Sequence, residues 1–424
     1  MKKTAEQLRQ DFWDEDIKNG ALIFSQYNEI KRVLLEKDFS WAEEQYKNIK
    51  KHAIEQTDFY KDYKITDSFP VVNKTTIMDN YEAHLAKNGF ELPLHKSSTS
   101  GSTGTPFTVL QDAKKRKRTI ADLKVFGELC DYPSHERMVF FRIINPHLNR
   151  TKEQEDRENI YYVDSSNLDD EHLQKMVEVL LEKKPRIVFS YAITLVTLAK
   201  FVIANNIDPN RFGIKSALTA GEGIAEADRL LLEKAFGCKA YRRYSDMELG
   251  ILAQDQGDGK EYILNYGSYY FECLKMDKDE PTDYGEVGRI VITDLFNKAM
   301  PMIRYDTGDL GILEKRENEF PVLKEIYGRV RDCVYATNGS LISPAKISVS
   351  MWSGENIKQW QFIQETKTEY VMKLNVDGKT NEEKIVNTMK AILGDDAEIK
   401  IEYVQEIPKL SSNKQRAIIC NYKK

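Results

Sequence analysis

Residues 186–220, RIVFSYAITLVTLAKFVIANNIDPNRFGIKSALTA, decide the fold class of this chain. The apolar runs at residues 186–189 and 216–220 have the length and composition of short strands. Between them, apolar residues recur at helical spacing up to an expected helix end at Asn205: Ile193, Val196, Leu198 and Val202. A strand, a helix and a second strand in this order predict a parallel α/β sheet.

The same alternation continues on both sides of this stretch. Residues 138–143 and 239–243 are predicted strands. A further helix, which Gly237 is expected to end, is predicted from four apolar positions: Ala227, Leu230, Leu231 and Ala235. Ligands of open parallel sheets bind at the carboxyl ends of the strands, so we expect the functional site at that edge.

The pattern differs at the two ends of the chain. Residues 1–56 are predicted to form mostly amphipathic helix, interrupted at Gly20. After Tyr262 a β-rich subdomain is predicted from runs at residues 269–275, 289–295 and 302–305. After Gly328 a small α+β domain is predicted from strands at residues 361–364, 370–376 and 398–404 and a helix at residues 382–393. We therefore expect a large N-terminal domain at residues 1–328 and a small, mobile C-terminal lid domain at residues 329–424.

Composition and charge exclude several classes of protein. The 424 residues are 41% hydrophobic and 30% charged, which is ordinary globular composition. The net charge of −5 does not favour a nucleic-acid partner, and the run KKRKR at residues 114–118 is expected to be the solvated face of a helix. Five scattered cysteines without a CxxC pair suit a reducing compartment. The acidic N-terminus does not resemble a signal peptide, and polar residues interrupt the apolar run 187–204, so we expect a cytoplasmic protein without a membrane partner.

The strongest local signal is the segment Ser97–Phe107, SSTSGSTGTPF. Glycines let backbone N–H groups surround an anion, and the hydroxyls can donate to phosphate oxygens. The alternative is a flexible Ser/Gly linker. The segment is not a Walker loop, because it contains no Gly-Lys-Ser/Thr sequence, and it lacks the GxGxxG spacing of dinucleotide sites.

SGSTGTPF (residues 100–107) resembles the phosphate loop of the adenylate-forming superfamily, which includes acyl- and aryl-CoA ligases. Other segments resemble further elements of this family in the family's order: residues 69–80, 184–223, YSDMELG at 244–250, MPMIRYDTGDL at 300–310, YGRVRD at 327–332 and PKLSSNKQR at 408–416. The motifs of the chain are similar to those of phenylacetate–CoA ligases and CapK-like proteins. The resemblance implies ATP and Mg²⁺ at the site, CoA as the acceptor, and the α/β fold already expected.

The resemblance also implies which residues bind the nucleotide. The loop would hold the β- and γ-phosphates through Ser100, Gly101, Ser102, Thr103, Gly104 and Thr105. The nucleotide would also contact Gly221, Glu222, Tyr244 and Ser245, with Tyr244 against the adenine. Asp309 would accept both ribose hydroxyls, because an ionised carboxylate offers two acceptor oxygens. If the family resemblance is set aside, the sequence Thr-Gly-Asp is also typical of an ordinary turn.

Four matched residues would carry the chemistry and the domain motion. Glu248 would bind Mg²⁺, which takes one or two carboxylates together with phosphate oxygens; the alternative is a glutamate at a helix start. Arg329 would reach the ribose or the α-phosphate. Asp332 would be the hinge of the small domain. Lys414 would place an ammonium charge between the substrate carboxylate and the α-phosphate, although a lone C-terminal lysine is ordinarily solvated.

The expected substrate pocket consists of Phe140, Phe141, Ser190 and Tyr191. Its aromatic residues favour an aromatic or other small carboxylate, although aromatic residues at such positions are often core. The chain departs from the family at Ser245 and Met247, where Gly and Thr are usual, and at Asn413, where Gly is usual. A hydroxyl donor to phosphate is therefore missing. No Cys or His follows Glu248 in GILAQDQGDGKEY, so no structural zinc is predicted.

The sequence thus predicts an ATP-dependent carboxylate ligase. The carboxylate and ATP would form an acyl-adenylate with release of pyrophosphate, and a thiol, expected to be CoA, would accept the acyl group. Two alternatives stay open: transfer to a hydroxyl, amine or carrier protein without CoA, and a nucleotide-binding scaffold with impaired catalysis. The same prediction is compatible with a homodimer.

Overall fold

The computed structural model describes residues 3–99, 107–143, 150–221, 223–329, 334–339, 341–342, 347, 351, 356–407 and 417–422. The chain forms two compact units. The first comprises Met1–Glu286, Ile290–Thr307 and Ile312–Glu325, and the second comprises Val287–Arg289, Gly308–Gly311 and Ile326–Lys424. The expected domain boundary between residues 328 and 329 stays a prediction, as does the mobility of the small domain.

Helices and strands alternate through the middle of the chain. The α-helices are α1 Ala5–Lys18, α2 Leu22–Glu36, α3 Phe39–Gln56, α4 Lys74–Asp79, α5 Tyr81–His84, α6 Ala113–Glu128, α7 Lys152–Glu158, α8 Asp170–Lys183, α9 Ala192–Ala204, α10 Glu226–Phe236 and α11 Glu382–Leu393. The strands up to residue 274 are β1 His95–Thr99, β2 Phe107–Gln111, β3 Met138–Arg142, β4 Ile160–Asp164, β5 Ile187–Tyr191, β6 Ser216–Ala220, β7 Lys239–Asp246, β8 Gly250–Asp255, β9 Tyr262–Leu264 and β10 Tyr269–Leu274. The later strands are β11 Val287–Asp294, β12 Tyr305–Glu314, β13 Val322–Arg329, β14 Val334–Tyr335, β15 Leu341–Ile342, β16 Ile357–Gln364, β17 Glu369–Val376, β18 Glu398–Tyr403 and β19 Ile418–Cys420.

Helices α1 and α2 are separate, as Gly20 predicted. Gly20 has a φ of +101°, which a helix cannot accommodate. Thr4 begins α1 with a reciprocal capping box, and the buried carboxylate of Asp16 accepts hydrogen bonds from the backbone N–H groups of Ile23 and Phe24. The N-terminal helical region therefore turns where the conformational freedom of glycine allows it.

One large sheet has the strand order β10-β11-β12-β13-β9-β8-β7-β6-β5-β3-β4. Strands β3 to β7 pair in parallel, and β8 and β9 continue antiparallel from β7. Strand β6 is buried at every position, as expected for a strand covered on both faces. The strand order reverses between β3 and β5, which is where open α/β sheets bind ligands. The predicted parallel α/β fold class is confirmed.

A hydrophobic core lies between this sheet and helices α8, α9 and α10. Phe141, Val188 and Ala217 contribute from the strands, and Leu180, Leu198 and Leu232 contribute from the helices. Gly237 ends α10 with a φ of +65°, as predicted from its position after the apolar pattern.

The second unit contains a four-stranded sheet in the order β18-β17-β16-β19. Helix α11 packs on it, with Met389 and Leu393 against Phe362, Tyr370 and Met372. The separate small α+β unit at the C-terminus is confirmed.

Two local expectations are wrong. Residues 302–304 do not form a strand, and β12 begins at Tyr305, because Arg304 has a left-handed φ of +52°. In the run 114–118, Lys115 and Arg118 are fully buried instead of solvated. Carboxylates from other elements compensate them: Asp294 lies 2.7 Å from Lys115, and Glu29 lies 2.5 Å from Arg118.

Candidate active site

The Ser/Thr/Gly loop joins two strands that pair with each other. Strands β1 and β2 are antiparallel, with Thr99 opposite Phe107, so residues 100–106 connect the two ends of a hairpin. The side-chain oxygens of Ser98 and Thr108 lie 2.8 Å apart across the hairpin. These contacts fix both ends of the loop. Its six predicted phosphate-binding residues, 100–105, lie outside the described residues.

Tyr244 and Glu248 lie where β7 turns into β8. The pairing of β7 with β8 is interrupted by a bulge between Tyr244 and Ser245, and bulges commonly redirect side chains beside active sites. Asp246 then accepts a hydrogen bond from the N–H of Leu249 at 2.6 Å, which holds the turn that contains Glu248. The side chain of Met247, at the departure from the family pattern, is 62% exposed in this turn.

The hairpin and the Glu248 turn are bonded to each other. The hydroxyl of Ser97 donates to the carbonyl oxygen of Met247 at 2.5 Å. The side-chain amide of Gln111 donates to the carbonyl oxygen of Glu248 at 3.2 Å. One bond therefore comes from each strand of the hairpin. Both bonds have backbone carbonyl oxygens as acceptors and do not involve the Glu248 carboxylate.

A buried polar chain lies beneath the turn. The hydroxyl of Tyr269 donates to the carbonyl oxygen of Leu249 at 2.5 Å and accepts from Lys115 at 3.0 Å, and Lys115 pairs with Asp294 at 2.7 Å. Burial raises the pKa of Tyr269 well above its ordinary value, so Tyr269 keeps the proton that it donates. Gly250 has a φ of +122°, and a Cβ there would lie 3.1 Å from the Tyr269 hydroxyl. Tyr269 thus contacts the turn through the carbonyl oxygen of Leu249.

The segment MPMIRYDTGDL lies next to Tyr244. The hydroxyl of Tyr244 donates to the Thr307 side-chain oxygen at 3.3 Å, and Thr307 donates to the carbonyl oxygen of Ile290. Asp309 follows two residues later in β12 and is half-buried. Tyr244 and Thr307 belong to the first unit, whereas Asp309 belongs to the second.

Arg304 anchors this segment and does not face a ligand. Its guanidinium pairs with Glu272 at 3.1 Å and donates to the carbonyl oxygen of Phe69 at 2.7 Å. Val72 pairs with Tyr305 in parallel. The segment 69–80, which resembles a family element in sequence, is therefore held against the start of β12. Its Lys74 lies 5.7 Å from the ring centroid of Phe107, directly after the loop.

The four residues of the expected substrate pocket lie at the strand-order reversal but on two faces of the sheet. Phe141 is fully buried in the core with helices α8, α9 and α10, and the buried hydroxyl of Ser190 donates to the carbonyl oxygen of Phe141 at 2.7 Å. Phe140 points to the other face, where its ring lies 4.4 Å from that of Phe189. Tyr191, at the end of β5, is 37% exposed. The structure brings Phe140 and Phe189 together and separates Phe141 and Ser190 from them.

The structure describes only some of the remaining candidate site residues. Gly221 follows β6 with a φ of +81°, at the carboxyl edge of the sheet. Arg329 ends β13, but its side chain is not described. Glu222, Asp332 and Lys414 lie outside the described residues. Within the described ranges, no group of three or more His, Cys, Asp or Glu side chains is arranged to hold a metal ion. No helix among the described residues is long and apolar enough to cross a membrane.

The polar chain of Lys115, Tyr269 and Asp294 is the main part of the site that sequence reasoning missed. Lys115 lies in a basic run, and such a run ordinarily favours a solvated face. The spacing carries a weak signal, since Lys115 and Arg118 are three residues apart and share one helix face. Their buried acidic partners lie too far along the chain to be identified from the sequence.

Several known proteins are similar to this chain in sequence. Residues 334–421 match the CapK C-terminal domain family. The chain is 25% identical to Protein CapK of Staphylococcus aureus, over 94% of this chain and 92% of CapK. It is also 25% identical to a phenylacetate-coenzyme A ligase of Thermus thermophilus, over 33% of this chain and 32% of the ligase.

Solved structures show the same fold. A 2-hydroxyisobutyryl-CoA ligase in the postadenylation state has a TM-score of 0.70 and 16% identity, over 89% of this chain and 88% of the ligase. ATP-bound MatB from Rhodopseudomonas palustris has a TM-score of 0.57 and 12% identity, over 76% of this chain and 66% of MatB. The resemblance read from the sequence is confirmed: the chain is similar to CapK over almost its whole length and to part of the phenylacetate-coenzyme A ligases, and it has the fold of the solved CoA ligases.

Proposed function

We propose that the protein activates a small carboxylate with ATP and transfers the acyl group to the thiol of CoA. In the first step a carboxylate oxygen attacks the α-phosphorus, the bond to the β-phosphate oxygen breaks, and pyrophosphate leaves. In the second step the thiol sulfur attacks the acyl carbon, AMP leaves, and the thiol proton is released. A hydroxyl, an amine or a carrier-protein thiol is the alternative acceptor.

The observation that supports this proposal is the bonding of the hairpin to the Glu248 turn. Ser97 and Gln111 flank a loop whose composition suits phosphates, and each donates to the turn that carries a half-buried carboxylate. A triphosphate needs anion donors and a metal-binding carboxylate close together, because a carboxylate attacking phosphorus must overcome charge repulsion. This arrangement would place both requirements at one end of β7.

The described residues have defined roles in the proposal. Tyr244 would lie against the adenine, with its orientation held by Thr307. Asp309 would accept the ribose hydroxyls. One carboxylate, Glu248, fits Mg²⁺ that is held mainly by phosphate oxygens, and such an ion, when bound, neutralises phosphate charge. The support from Tyr269 would keep the Glu248 backbone in place during turnover.

The small domain would act through residues inferred from the sequence alone. Lys414 would lie over the α-phosphate during adenylation, and Arg329 would contact the ribose or the α-phosphate. Rotation about Asp332 would then open a path for the acceptor, since a few residues at element ends can absorb a large backbone change.

The direct test is a panel of aliphatic and aromatic carboxylates scored by pyrophosphate release, with and without CoA. The proposal predicts pyrophosphate release that depends on one class of acid, and CoA thioester formation with that acid. Acid-dependent pyrophosphate release without a thioester would favour a non-CoA acceptor, which hydroxylamine trapping would then confirm. Nucleotide binding without pyrophosphate release would favour the scaffold.

Glu248→Gln tests the metal assignment, since the amide keeps the shape of the side chain and loses its charge. Turnover should fall at low Mg²⁺ and recover partly at high Mg²⁺. Glu171→Gln is the matched control, because Glu171 lies on the surface of α8 and pairs only with Lys175 among the described residues. An identical Mg²⁺ dependence in wild type and Glu248→Gln would assign Glu248 a structural role.

A further inference from the structure

The Ser/Thr/Gly loop contains no positively charged residue. No Lys or Arg occurs between Lys96 and Lys114. Hydroxyl and backbone N–H groups can donate to phosphate oxygens, but they carry no full charge to balance the charge of a triphosphate. Lys115, near the start of α6, is fully buried and pairs with Asp294, so its charge is already compensated. A cation for the phosphates must therefore come from outside the loop.

Lys74 of α4 brings an ammonium group to the end of this loop. Its Nζ lies 5.7 Å from the ring centroid of Phe107, which begins β2 directly after the loop. Thr99, directly before the loop, is the cross-strand partner of Phe107 in the hairpin. The two ends of the loop thus lie side by side, and Lys74 lies next to the point where the loop closes.

The backbone that carries Lys74 is fixed to the segment MPMIRYDTGDL. The N–H of Val72 donates to the carbonyl oxygen of Arg304 at 3.0 Å, and the carbonyl oxygen of Val72 accepts from the N–H of Asp306 at 2.8 Å. The side chain of Asn73 caps α4. Two backbone bonds and a helix cap therefore position the residue. A group positioned in advance loses less conformational freedom when it binds an anion.

The aromatic ring beside Lys74 is also fixed, and it connects Lys74 to the predicted nucleotide residues. Phe107 is fully buried, and its ring stacks on that of Tyr305 with centroids 6.4 Å apart. Tyr305 and Thr307 are two residues apart in β12, so they lie on one face of the strand. Thr307 contacts the hydroxyl of Tyr244 at 3.3 Å. Lys74 itself is half-buried, so water screens its charge less than on an open surface.

We propose that Lys74 binds the β- and γ-phosphates of ATP and stabilises pyrophosphate as it leaves. This inference rests on the proposed function. When the bond between the α-phosphorus and the bridging oxygen breaks, the electron pair stays on that oxygen, and the β-phosphate gains negative charge. The ammonium group would balance this charge without transferring a proton. Lys414 would act at the α-phosphate and the substrate carboxylate, so the two lysines would have different partners.

The first test compares two nucleotides that differ in the phosphates assigned to Lys74. Calorimetry would measure the affinities of wild type and Lys74→Met for ATP and AMP at one fixed concentration of Mg²⁺. Methionine keeps an unbranched chain beside Phe107 and removes the charge. The affinity for ATP should fall about 10-fold or more, the scale of one charge-assisted hydrogen bond, and the affinity for AMP should stay unchanged. Lys74→Arg should recover part of the loss, because it restores the charge.

Lys64→Met is the matched control. Lys64 is an exposed lysine earlier in the same region and forms no ion pair with a described residue, so this variant should keep both affinities. Equal loss of ATP and AMP affinity in folded Lys74→Met, or an unchanged ATP affinity, would overturn the inference, since mere packing against Phe107 does not distinguish the two nucleotides. Lys74→Gln serves for the same comparison if the methionine variant does not fold.

Turnover separates this inference from the proposed function. With an acid that supports pyrophosphate release, Lys74→Met should lower kcat by about 10²-fold, the scale of losing one partner of transition-state charge. An unchanged kcat would refute the stabilisation of the leaving group. ATP binding that depends on Lys74, without pyrophosphate release from any acid, would refute the proposed function and retain the phosphate contact. Pyrophosphate release at the wild-type kcat, with an unchanged ratio of ATP to AMP affinity, would overturn the role of Lys74 and leave the proposed function standing.

Discussion

Removing the charge of Lys115 should destabilise the first unit and loosen the Glu248 turn. Lys115 and Asp294 are both fully buried, with Nζ 2.7 Å from the carboxylate. Lys115→Met leaves that carboxylate buried without its cation and removes the hydrogen bond to Tyr269. Loss of one partner from a buried pair costs about 3–5 kcal/mol in the free energy of unfolding.

The double variant Lys115→Met/Asp294→Asn separates the effect of charge on the free energy of unfolding from the effect of packing. Asparagine keeps the oxygen that accepts from the N–H groups of Phe296 and Asn297, so the local turn survives. The double variant should therefore recover at least half of the lost stability, because replacing both charges avoids an unpaired one.

Calorimetric unfolding of wild type, both single variants and the double variant gives the coupling energy directly. Lys114→Met is the control, since Lys114 lies on the same helix and forms no ion pair with a described residue. It should change the free energy of unfolding by less than about 0.5 kcal/mol. A Lys115→Met cost below about 1 kcal/mol, or a double variant no more stable than Lys115→Met, would refute the argument.

Three further predictions address binding, catalysis and pH. Asp309→Ala should weaken ATP binding by about 2–3 kcal/mol, the scale of two charge-assisted hydrogen bonds; unchanged affinity by calorimetry in a folded variant would contradict its role. Lys414→Ala should slow adenylation by roughly 10²–10³-fold and leave transfer from supplied acyl-adenylate near normal, whereas equal effects on both half-reactions would exclude the two-step hinge at Asp332. Burial lowers the pKa of folded Lys124 to about 8, while the unfolded chain keeps the ordinary value of 10.5. Between these values the unfolded chain binds more protons, so the free energy of unfolding should rise with pH; Lys124→Met should flatten this rise, and an unchanged profile would show that Lys124 is solvated.

The candidate site can be inferred from the sequence because its parts are short and local. The Ser/Thr/Gly loop, YSDMELG and RYDTGDL each carry their residue types within about a dozen positions, and the strands beside them show simple periodicity. Arg304 shows the limit of this reasoning. A positively charged residue inside a family motif would be expected to contact a ligand. The contacts of Arg304 with Glu272 and with the carbonyl oxygen of Phe69 instead hold two segments of the chain together. Those partners lie far away in sequence, and no local pattern identifies them.

The sequence by itself determined the parallel α/β class, the helix break at Gly20, the small C-terminal unit and the family resemblance, because these depend on periodicity, turn chemistry and motifs within single segments. Only the tertiary structure decided that Phe141 packs in the core with helices α8, α9 and α10 while Phe140 packs against Phe189, and that Lys115 is buried against Asp294. It alone placed Lys74 beside the ring of Phe107, directly after the Ser/Thr/Gly loop. The energy of a charge depends on burial and on partners from distant elements, and the folded chain sets both.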